Sequence, residues 1–447
     1  MNLRKKLLQL ALPMSLEGLL TASADFVDTL MVSSMGEAAV SAVGLGTQMF
    51  FVQSMTIYGF CGGASTYMAQ FWGSGNLRGI RKTLSTTVSG AFVLSLMLFL
   101  VLITVPEHVM GIFTDINVVK QEGARYMIFR SPTLLLYSVI LPVIMALKSM
   151  QQVKLAVGAS IAAVVINVTA NYILIFGALG MPRMGASGAA LATTLSQSAE
   201  LVILLIGMTI SKSPLMTETK DYLSLNRELV RKVVHNAVPT TVNEMMWSGG
   251  MSAYNAAYGR ISVMASAAAQ AADIVTHIFT KAIYSVGDAS LILVGEQLGR
   301  DEKQIAYGMA KKLLRLNALL GTAAGIVLIA AARFAAGLFH FGDESRGYLI
   351  ALLCIYGLFL PLKVYNVSLI TGVLRAGGDV SFAMITEVSA IWLVSVPLVF
   401  FSALILDFPI YIVVLFAQSE DLVKAVILTR RFRSGKWMNN KVRDIDC

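Results

Sequence analysis

Residues 11–36 read ALPMSLEGLLTASADFVDTLMVSSMG. This run is apolar and long enough to cross a bilayer as one helix. It carries Pro13 near its start and the carboxylates Asp25 and Asp28 in its middle. An unpaired charge at the centre of a membrane helix costs about 3 kcal/mol on insertion scales, and intramembrane carboxylates mark ion and proton pathways. The stretch therefore predicts a membrane helix with acidic residues that serve ion-coupled transport.

The composition also predicts a membrane protein. Of the 447 residues, 56% are hydrophobic and 14% are charged, and the mean hydropathy is +0.71. Soluble domains carry about 25% charged residues. The net charge of +9 does not indicate nucleic acid, because the basic residues lie in short loops between apolar runs. We therefore expect the lipid bilayer, and no nucleic acid, as a partner.

The fold class that we predict is an all-α integral membrane protein with twelve transmembrane helices. A membrane helix needs about 20 apolar residues. Such segments begin near Leu7, Ala42, Leu84, Met127, Leu155, Ala186, Val233, Met264, Leu313, Tyr348, Ser381 and Leu406. More polar segments lie at residues 107–125 and 211–232, and charged residues crowd the twelfth segment.

The distribution of Lys and Arg predicts the orientation in the membrane. Alternate connections between the segments, together with both ends of the chain, hold 25 of these residues, whereas the opposite connections hold 7. Positive residues collect on the cytoplasmic side. We therefore expect a multi-pass protein of the cytoplasmic or inner membrane, with both termini and the 211–232 linker in the cytoplasm.

An internal repeat divides the chain into two halves. Ala11-Leu12-Pro13 is echoed by Ala237-Val238-Pro239 and Gly73 by Gly299, both at an offset of 226, and Leu147-Lys148 by Leu374-Arg375 at 227. Six spans return the chain to its starting side, so the halves share one orientation, related by a pseudo-two-fold axis along the membrane normal. We predict a six-helix lobe over 1–210, a cytoplasmic linker over 211–232, a second lobe over 233–428 and a basic tail over 429–447.

In the first half, two acidic residues and a pair of amides are candidates for ion binding. Asp25 and Asp28 lie on one face of the first helix, and a structural role is the alternative for each. Asn167 and Asn171 are four residues apart on the fifth helix. Their amides can coordinate Na⁺ or hydrogen-bond a protonated carboxyl, but they can equally hold two helices together.

In the second half, Glu244 lies near the middle of the seventh helix, beside Asn243 and Trp247. A buried carboxylate next to an aromatic ring attracts an organic cation through charge and cation–π interactions. An interhelical hydrogen bond is the alternative. Asp273, Lys281 and Asp288 follow on the eighth helix, where a mutually neutralised set is the simpler interpretation than a substrate site.

Several kinds of chemistry lack support. Three cysteines and four histidines are scattered without paired spacing, so we expect neither a disulfide framework nor a resident metal site. No nucleophile elbow or phosphate loop is present, and the glycine pairs lack the strand–turn–helix context of a nucleotide site. We therefore do not expect an enzyme or a cofactor other than a coupling ion, Na⁺ or H⁺.

Taken together, these motifs resemble the multidrug and toxic compound extrusion (MATE) family of the MOP superfamily. The resemblance covers nearly the whole chain and rests on the segments Val27–Val32, Asn167–Gly177, Met184–Thr193, Asn243–Trp247 and Gly372–Asp379. It implies two six-helix lobes and the export of amphipathic, often cationic, compounds driven by inward Na⁺ or H⁺. One departure is Leu147–Gln152, which lacks the glycines of its second-half counterpart.

The resemblance also assigns residues. The first-helix aspartate of the family maps onto Asp28, the polar pair of the fifth helix onto Asn167 and Asn171, and the intramembrane glutamate onto Glu244. Pro13 takes the place of a first-helix proline associated with bending. We add Tyr137 to the coupling group and Gln48 to the substrate-binding group of Glu244, Asn243 and Trp247.

The function that we predict is a secondary antiporter that exports small amphipathic, cationic compounds by alternating access and works as a monomer. A lipid-linked precursor flippase of the same superfamily is one alternative. It would need a strongly basic cleft, whereas the basic residues within the spans are Lys281, Lys363 and Lys424. A non-transporting membrane receptor or scaffold is another, and the absence of a sizeable soluble domain argues against it.

Overall fold

A computed structural model describes residues 3–33, 35, 37–222, 226–339, 341–443 and 445. Within them the chain is helical and has no β-strand. The first eight helices are α1 Leu3–Ser33, α2 Glu37–Ser74, α3 Leu77–Thr104, α4 Pro106–Gly111, α5 Asn117–Arg130, α6 Pro132–Ser149, α7 Val153–Phe176 and α8 Ala186–Ile210. A short 3₁₀ turn at Ala178–Gly180 lies between α7 and α8, and two more at Pro214–Met216 and Thr219–Tyr222 follow α8.

The second half of the chain contains the remaining helices. They are α9 Arg227–Ile261, α10 Val263–Gly299, α11 Lys303–Gly337, α12 Asp343–Val367, α13 Val380–Ser389, α14 Val396–Leu404, α15 Ile410–Ala417 and α16 Ser419–Arg433. Wider π-helical turns lie at Ser368–Leu374 and Ala390–Ser395. Pro397 follows the second of these turns and cannot donate a backbone hydrogen bond to it, which accounts for a local widening there.

Local sequence explains several helix ends. The side chain of Asn76 accepts a hydrogen bond from Gly79 N at 2.8 Å, and Ser262 does the same for Ala265 N at 3.0 Å. Such caps satisfy backbone donors that the first turn of a helix leaves free. At the other end of a helix, Gly177 takes a left-handed conformation with φ 73° and ends α7.

Eight helical stretches in the described part of the chain are long and apolar enough to cross a membrane. They are Leu77–Thr104, Pro132–Ser149, Val153–Phe176, Ala186–Ile210, Val263–Gly299, Lys303–Gly337, Asp343–Leu374 and Val380–Leu404. Eleven of the twelve predicted starting points lie inside a helix, whereas Leu406 precedes α15 by four residues. The polar segment 107–125 also forms helix, because α4 and α5 bury Val109, Met110 and Tyr126 in an apolar cluster.

The chain divides into two compact units. The amino-terminal unit comprises Leu16–Met68 and Asn76–Val234, and its main apolar cluster includes Phe50, Leu102 and Met127. The carboxy-terminal unit comprises the described residues of Met1–Ser15, Ala69–Gly75 and His235–Ile445. One of its apolar clusters joins α9, α10, α11, α12, α14 and α15. The lobe boundaries drawn from the sequence stay predictions.

Two glycines of the repeat meet the same helix crossing in the carboxy-terminal unit. A Cβ on Gly73 would lie 2.0 Å from Glu296 O, and a Cβ on Gly299 would lie 1.9 Å from Gln70 O. Gln70 and Glu296 are themselves related by the 226-residue offset. The end of α2 therefore packs backbone to backbone on the end of α10, in a contact that only glycine permits.

The predicted basic tail begins as helix and then folds back. Its Trp437 is fully buried and stacks on Phe432 with ring centroids 5.8 Å apart. The Gln70 side chain donates to Asn439 O at 3.0 Å and accepts from Lys441 N at 2.6 Å. The tail therefore packs against the carboxy-terminal unit through specific backbone contacts.

Candidate functional site

The amino-terminal unit gathers the predicted coupling residues. Asp28 on α1 accepts a hydrogen bond of 2.6 Å from Asn171 Nδ2 on α7, and Asn171 Nδ2 also lies 3.2 Å from Asn167 Oδ1. Ser196 Oγ on α8 lies 3.5 Å from Asn167 Nδ2. Asn167 and Asn171 therefore share one face of α7, as their spacing predicted, and this face meets the Asp28 carboxylate on one side and Ser196 on the other.

The amide oxygens of this cluster are well placed for a cation or a proton. Asn171 Oδ1 is buried and has no hydrogen-bond partner among the described residues. Turning the Asn167 amide over places its NH₂ 3.0 Å from Asp28 Oδ2. In that orientation both amides donate to the Asp28 carboxylate. The carboxylate and the unpartnered Asn171 Oδ1 are oxygen atoms of the kind that a proton or a small monovalent cation binds.

The other candidates of the first half lie elsewhere. Tyr137 on α6 packs against the apolar cluster of Ile57, Cys61 and Ala91. Gln48 on α2 is exposed, and α1 runs through Pro13 as one continuous helix. The side chain of Asp25 lies outside the described residues. The roles of Tyr137, Gln48 and Pro13 stay predictions.

The carboxy-terminal unit places Glu244 in an ion pair. Arg375 donates to Glu244 Oε1 at 3.0 Å, and both side chains are nearly buried. Asn243, the neighbour of Glu244 on α9, donates to Glu387 Oε2 at 2.8 Å on α13. Trp247 is half-buried one turn further along α9. Glu244 therefore has a basic partner that the sequence did not point to.

More buried charges continue from this pair. Lys424 Nζ lies 3.6 Å from Glu387 Oε1 and 3.3 Å from Glu420 Oε1. Tyr254 OH donates to Glu420 Oε2 at 3.1 Å. Two of the charges that crowd the twelfth predicted span, Glu420 and Lys424, are therefore buried partners of α9 and α13.

The charged residues of α10 divide into different environments. Asp273 is half-buried and accepts a hydrogen bond from the Tyr356 hydroxyl, whereas His277 is exposed. Lys281 and Asp288 are half-buried. A single mutually neutralised set along this helix stays a prediction.

A second ion pair lies in the amino-terminal unit and was missed by the sequence analysis. Lys148 Nζ on α6 donates to Glu17 Oε2 on α1 at 2.9 Å. Close to them, Ser160 Oγ on α7 donates to Glu200 Oε1 on α8 at 2.8 Å. The repeat offers part of the missing signal, because an offset of 227 residues relates Lys148 to Arg375, and the offset of 226 that holds for the first helix places Glu17 opposite Asn243, next to Glu244.

Comparison with protein families gives an independent view of the chain. A family model described as MatE matches residues 13–173 and matches again over residues 239–401. The two matches cover most of the chain, and each begins at the proline, Pro13 or Pro239, that opens a half of the repeat.

Relatives of known name are similar over most of their length. The chain is 22% identical over 426 residues to "Uncharacterized transporter YisQ" of Bacillus subtilis, covering 92% of this chain and 90% of the relative. It is 25% identical to "Probable multidrug resistance protein YoeA" of the same species, covering 87% and 84%. "Probable multidrug resistance protein NorM" of Bradyrhizobium diazoefficiens is 26% identical, also covering 87% and 84%.

Solved structures show the same fold. A crystal structure of MATE in the straight conformation superposes with a TM-score of 0.89 at 16% identity, covering 98% of this chain and 97% of the other. The eukaryotic MATE transporter AtDTX14 gives 0.85 at 17% identity. The predicted class of an all-α membrane protein with twelve helices in two lobes is therefore confirmed.

Proposed function

The chain belongs to the MatE family, and from this premise we propose that it is a secondary antiporter exporting small amphipathic cations in exchange for Na⁺ or H⁺. The predicted family is confirmed, and so is the prediction of a multi-pass membrane transporter rather than an enzyme. Several relatives of similar length are named as probable multidrug resistance proteins, which supports small-molecule export.

The observation that carries the ion coupling is the Asp28 cluster. A carboxylate in the middle of α1 lies against Asn171, whose own buried Oδ1 has no partner among the described residues. Binding of a proton or Na⁺ there neutralises the carboxylate and satisfies the Asn171 oxygen. The ion gradient then favours the conformation in which the ion binds more tightly. A substrate that binds more tightly to another conformation is moved against its own concentration gradient.

The substrate class follows from the balance of charge. Lys148, Arg375 and Lys424 each lie within 4 Å of a glutamate, so these basic groups are neutralised and do not form a positive cleft. An anionic lipid-linked precursor would need such a cleft, which makes the flippase the weaker alternative. We assign the protein to the cytoplasmic or inner membrane as a monomer with both termini in the cytoplasm.

Efflux from proteoliposomes tests this function. Ethidium efflux is measured under a Na⁺ gradient and, separately, under a pH gradient, for the wild type, Asp28→Asn and the control Asp115→Asn. Asp115 is exposed between α4 and α5, so its variant makes the same chemical change away from the cluster. We expect one gradient to drive efflux, and Asp28→Asn to reduce the driven rate about tenfold or more.

The outcomes separate the alternatives. Full driven efflux in Asp28→Asn would remove Asp28 from the coupling mechanism. If neither the Na⁺ gradient nor the pH gradient drives ethidium efflux in folded wild-type protein, the antiporter is contradicted. That result would favour the lipid flippase or a non-transporting protein.

A further inference from the structure

The second ion pair of the amino-terminal unit belongs to a larger polar cluster, formed by Glu17, Lys148, Ser160 and Glu200. Lys148 pairs with Glu17 at 2.9 Å, and Ser160 donates to Glu200 at 2.8 Å. Glu200 also interacts electrostatically with both Glu17 and Lys148. The four residues come from α1, α6, α7 and α8, so the fold brings four separate helices to one polar point.

This cluster is distinct from the Asp28 cluster. Glu17 and Asp28 lie eleven residues apart on the continuous helix α1, which corresponds to about 16 Å along the axis. The side chains of Glu17 and Lys148 retain 16% and 18% of their exposure. The pair is therefore partly exposed at a level of α1 well separated from the Asp28 cluster.

The internal repeat places a similar ion pair on corresponding helices of each half. An offset of 227 residues relates Lys148 to Arg375 and Ser160 to Glu387, whereas the offset of 226 that holds at Pro13 and at Gly73 relates Glu17 to Asn243, the neighbour of Glu244. The pair is 2.9 Å long in one half and 3.0 Å in the other. The first-half cluster therefore resembles the Glu244 site, with its acidic residue shifted by one position in the repeat.

The charges of the cluster do not cancel. Two carboxylates, Glu17 and Glu200, face the single ammonium group of Lys148, while Ser160 donates to Glu200 and Tyr137 lies near it. An uncompensated negative charge is unfavourable in a poorly hydrated helix bundle, and one proton removes it. Because Lys148 bonds directly to Glu17, Glu200 forms no ion pair with a described residue.

We propose that Glu17, Lys148 and Glu200 form a second proton-binding site of the amino-terminal unit, with Glu200 as the group that takes up the proton. The site binds one proton on the Glu200 carboxylate and releases it again, independently of Asp28. As a part of the transport cycle it rests on the proposed antiport, whereas proton binding itself does not.

Infrared spectroscopy of the reconstituted protein tests the site directly. Protonated carboxyl groups give a C=O stretch that is followed as the pH is changed, for the wild type, Glu200→Gln, Asp28→Asn and the control Glu228→Gln. Glu228 is exposed on the first turn of α9 and pairs with Lys232. We expect Glu200→Gln to lose one titrating carboxyl signal that Asp28→Asn and Glu228→Gln retain. A Glu200→Gln spectrum identical to that of the wild type would overturn the proposal.

Two further variants distinguish a proton site from a structural cluster by the sign of their effects. Lys148→Met removes the nearby positive charge, so proton uptake should move to higher pH by about 1 unit. Glu17→Gln frees Lys148 to pair with Glu200, so uptake should move to lower pH. Unchanged midpoints in both variants would overturn the proposal. If Lys148→Met does not fold, Glu17→Gln alone decides, since it retains the cation.

Ethidium efflux in the same vesicles keeps the two proposals separate. A Glu200 signal without driven efflux supports the proton site and contradicts the antiporter. Driven efflux with no Glu200 signal in the wild type supports the antiporter and overturns the proton site.

Discussion

The two halves of the repeat each contain a glutamate paired with a basic residue, in different surroundings. In the second half, Arg375 and Glu244 keep 4% and 12% of their side-chain exposure, whereas Lys148 and Glu17 of the first half keep 18% and 16%. The second pair is also surrounded by further buried charges, and the first by a hydroxyl and one carboxylate. A repeated backbone therefore preserves a contact, while the neighbouring side chains decide how strongly that contact stabilises the fold.

The halves also share backbone turns that they build from different residues. Gly378 has φ 67°, and Gln151, at the equivalent position of the first half, has φ 62°. The closing hydrogen bonds match, with Asp379 N to Leu374 O at 3.0 Å and Gln152 N to Leu147 O at 2.8 Å. The glycines missing from Leu147–Gln152 therefore do not change the turn, although a left-handed non-glycine residue costs roughly 1–2 kcal/mol.

Removing the basic partner should have the largest effect in the second half. Arg375→Met leaves the nearly buried Glu244 without its cation, which should lower the free energy of unfolding by about 3–5 kcal/mol. Lys148→Met should cost about half of that or less, because its pair is more exposed. Thermal unfolding in detergent measures both. Equal losses would show that the difference in burial has no energetic consequence, and the double variant Glu244→Gln/Arg375→Met should recover most of the stability.

Substitution of Gly73 or of Gly299 at the crossing of α2 and α10 should destabilise the protein by the same amount. Gly73→Ala and Gly299→Ala each place a methyl group against a backbone carbonyl, so each should destabilise the protein by about 1–3 kcal/mol. Gly308→Ala on α11 is the matched control, since a Cβ there meets nothing within 4 Å. It should be neutral or slightly stabilising. A clear inequality between the two crossing variants in the unfolding temperature would contradict an equivalent packing of the two glycines.

Exchanging the turn residues should produce small effects of opposite sign. Gln151→Gly relieves left-handed strain and should stabilise the protein by about 1 kcal/mol, whereas Gly378→Ala should destabilise it by a similar amount. Differential scanning fluorimetry of the two single variants measures the shifts. A destabilising Gln151→Gly would mean that the contacts of the Gln151 side chain outweigh the backbone strain.

The smallest effect concerns the linker that follows the first half. Arg81 donates to Asp221 at 2.8 Å and Arg78 at 3.0 Å, and these hydrogen bonds and charges hold the pKa of the Asp221 carboxyl below its usual value. A carboxyl with a lowered folded-state pKa stabilises the fold above its unfolded pKa of about 3.9 and loses that contribution as the pH falls through the folded value.

Asp221→Asn should therefore loosen the linker at neutral pH and have less effect in acid. Hydrogen exchange of residues 214–222 measures this, with Asp379→Asn as the comparison in the second half, where Arg431 donates to Asp379 at 2.7 Å and 2.9 Å. A difference between Asp221→Asn and the wild type that is independent of pH would contradict the electrostatic cause.

The sequence by itself determined the helical membrane fold, the family and the repeat. Hydropathy over about 20 residues is a local property, so eleven of the twelve predicted starting points fall inside a helix without knowledge of their neighbours. The clustering of Asn167 and Asn171 followed from helical spacing within α7, and the resemblance placed Asp28 beside them. The twelfth starting point, Leu406, precedes α15 by four residues because residues 405–409 form a non-helical turn that ends in Pro409.

Only the tertiary structure decided which charges pair. Glu17 and Lys148, like Glu244 and Arg375, are 131 residues apart, and no local pattern connects such positions. Each pair forms because the packing of the surrounding helices brings two side chains within 3.0 Å and removes most of the water around them. That desolvation turns four scattered charges into two similar ion pairs, because a charge in a helix bundle must find a partner or a proton.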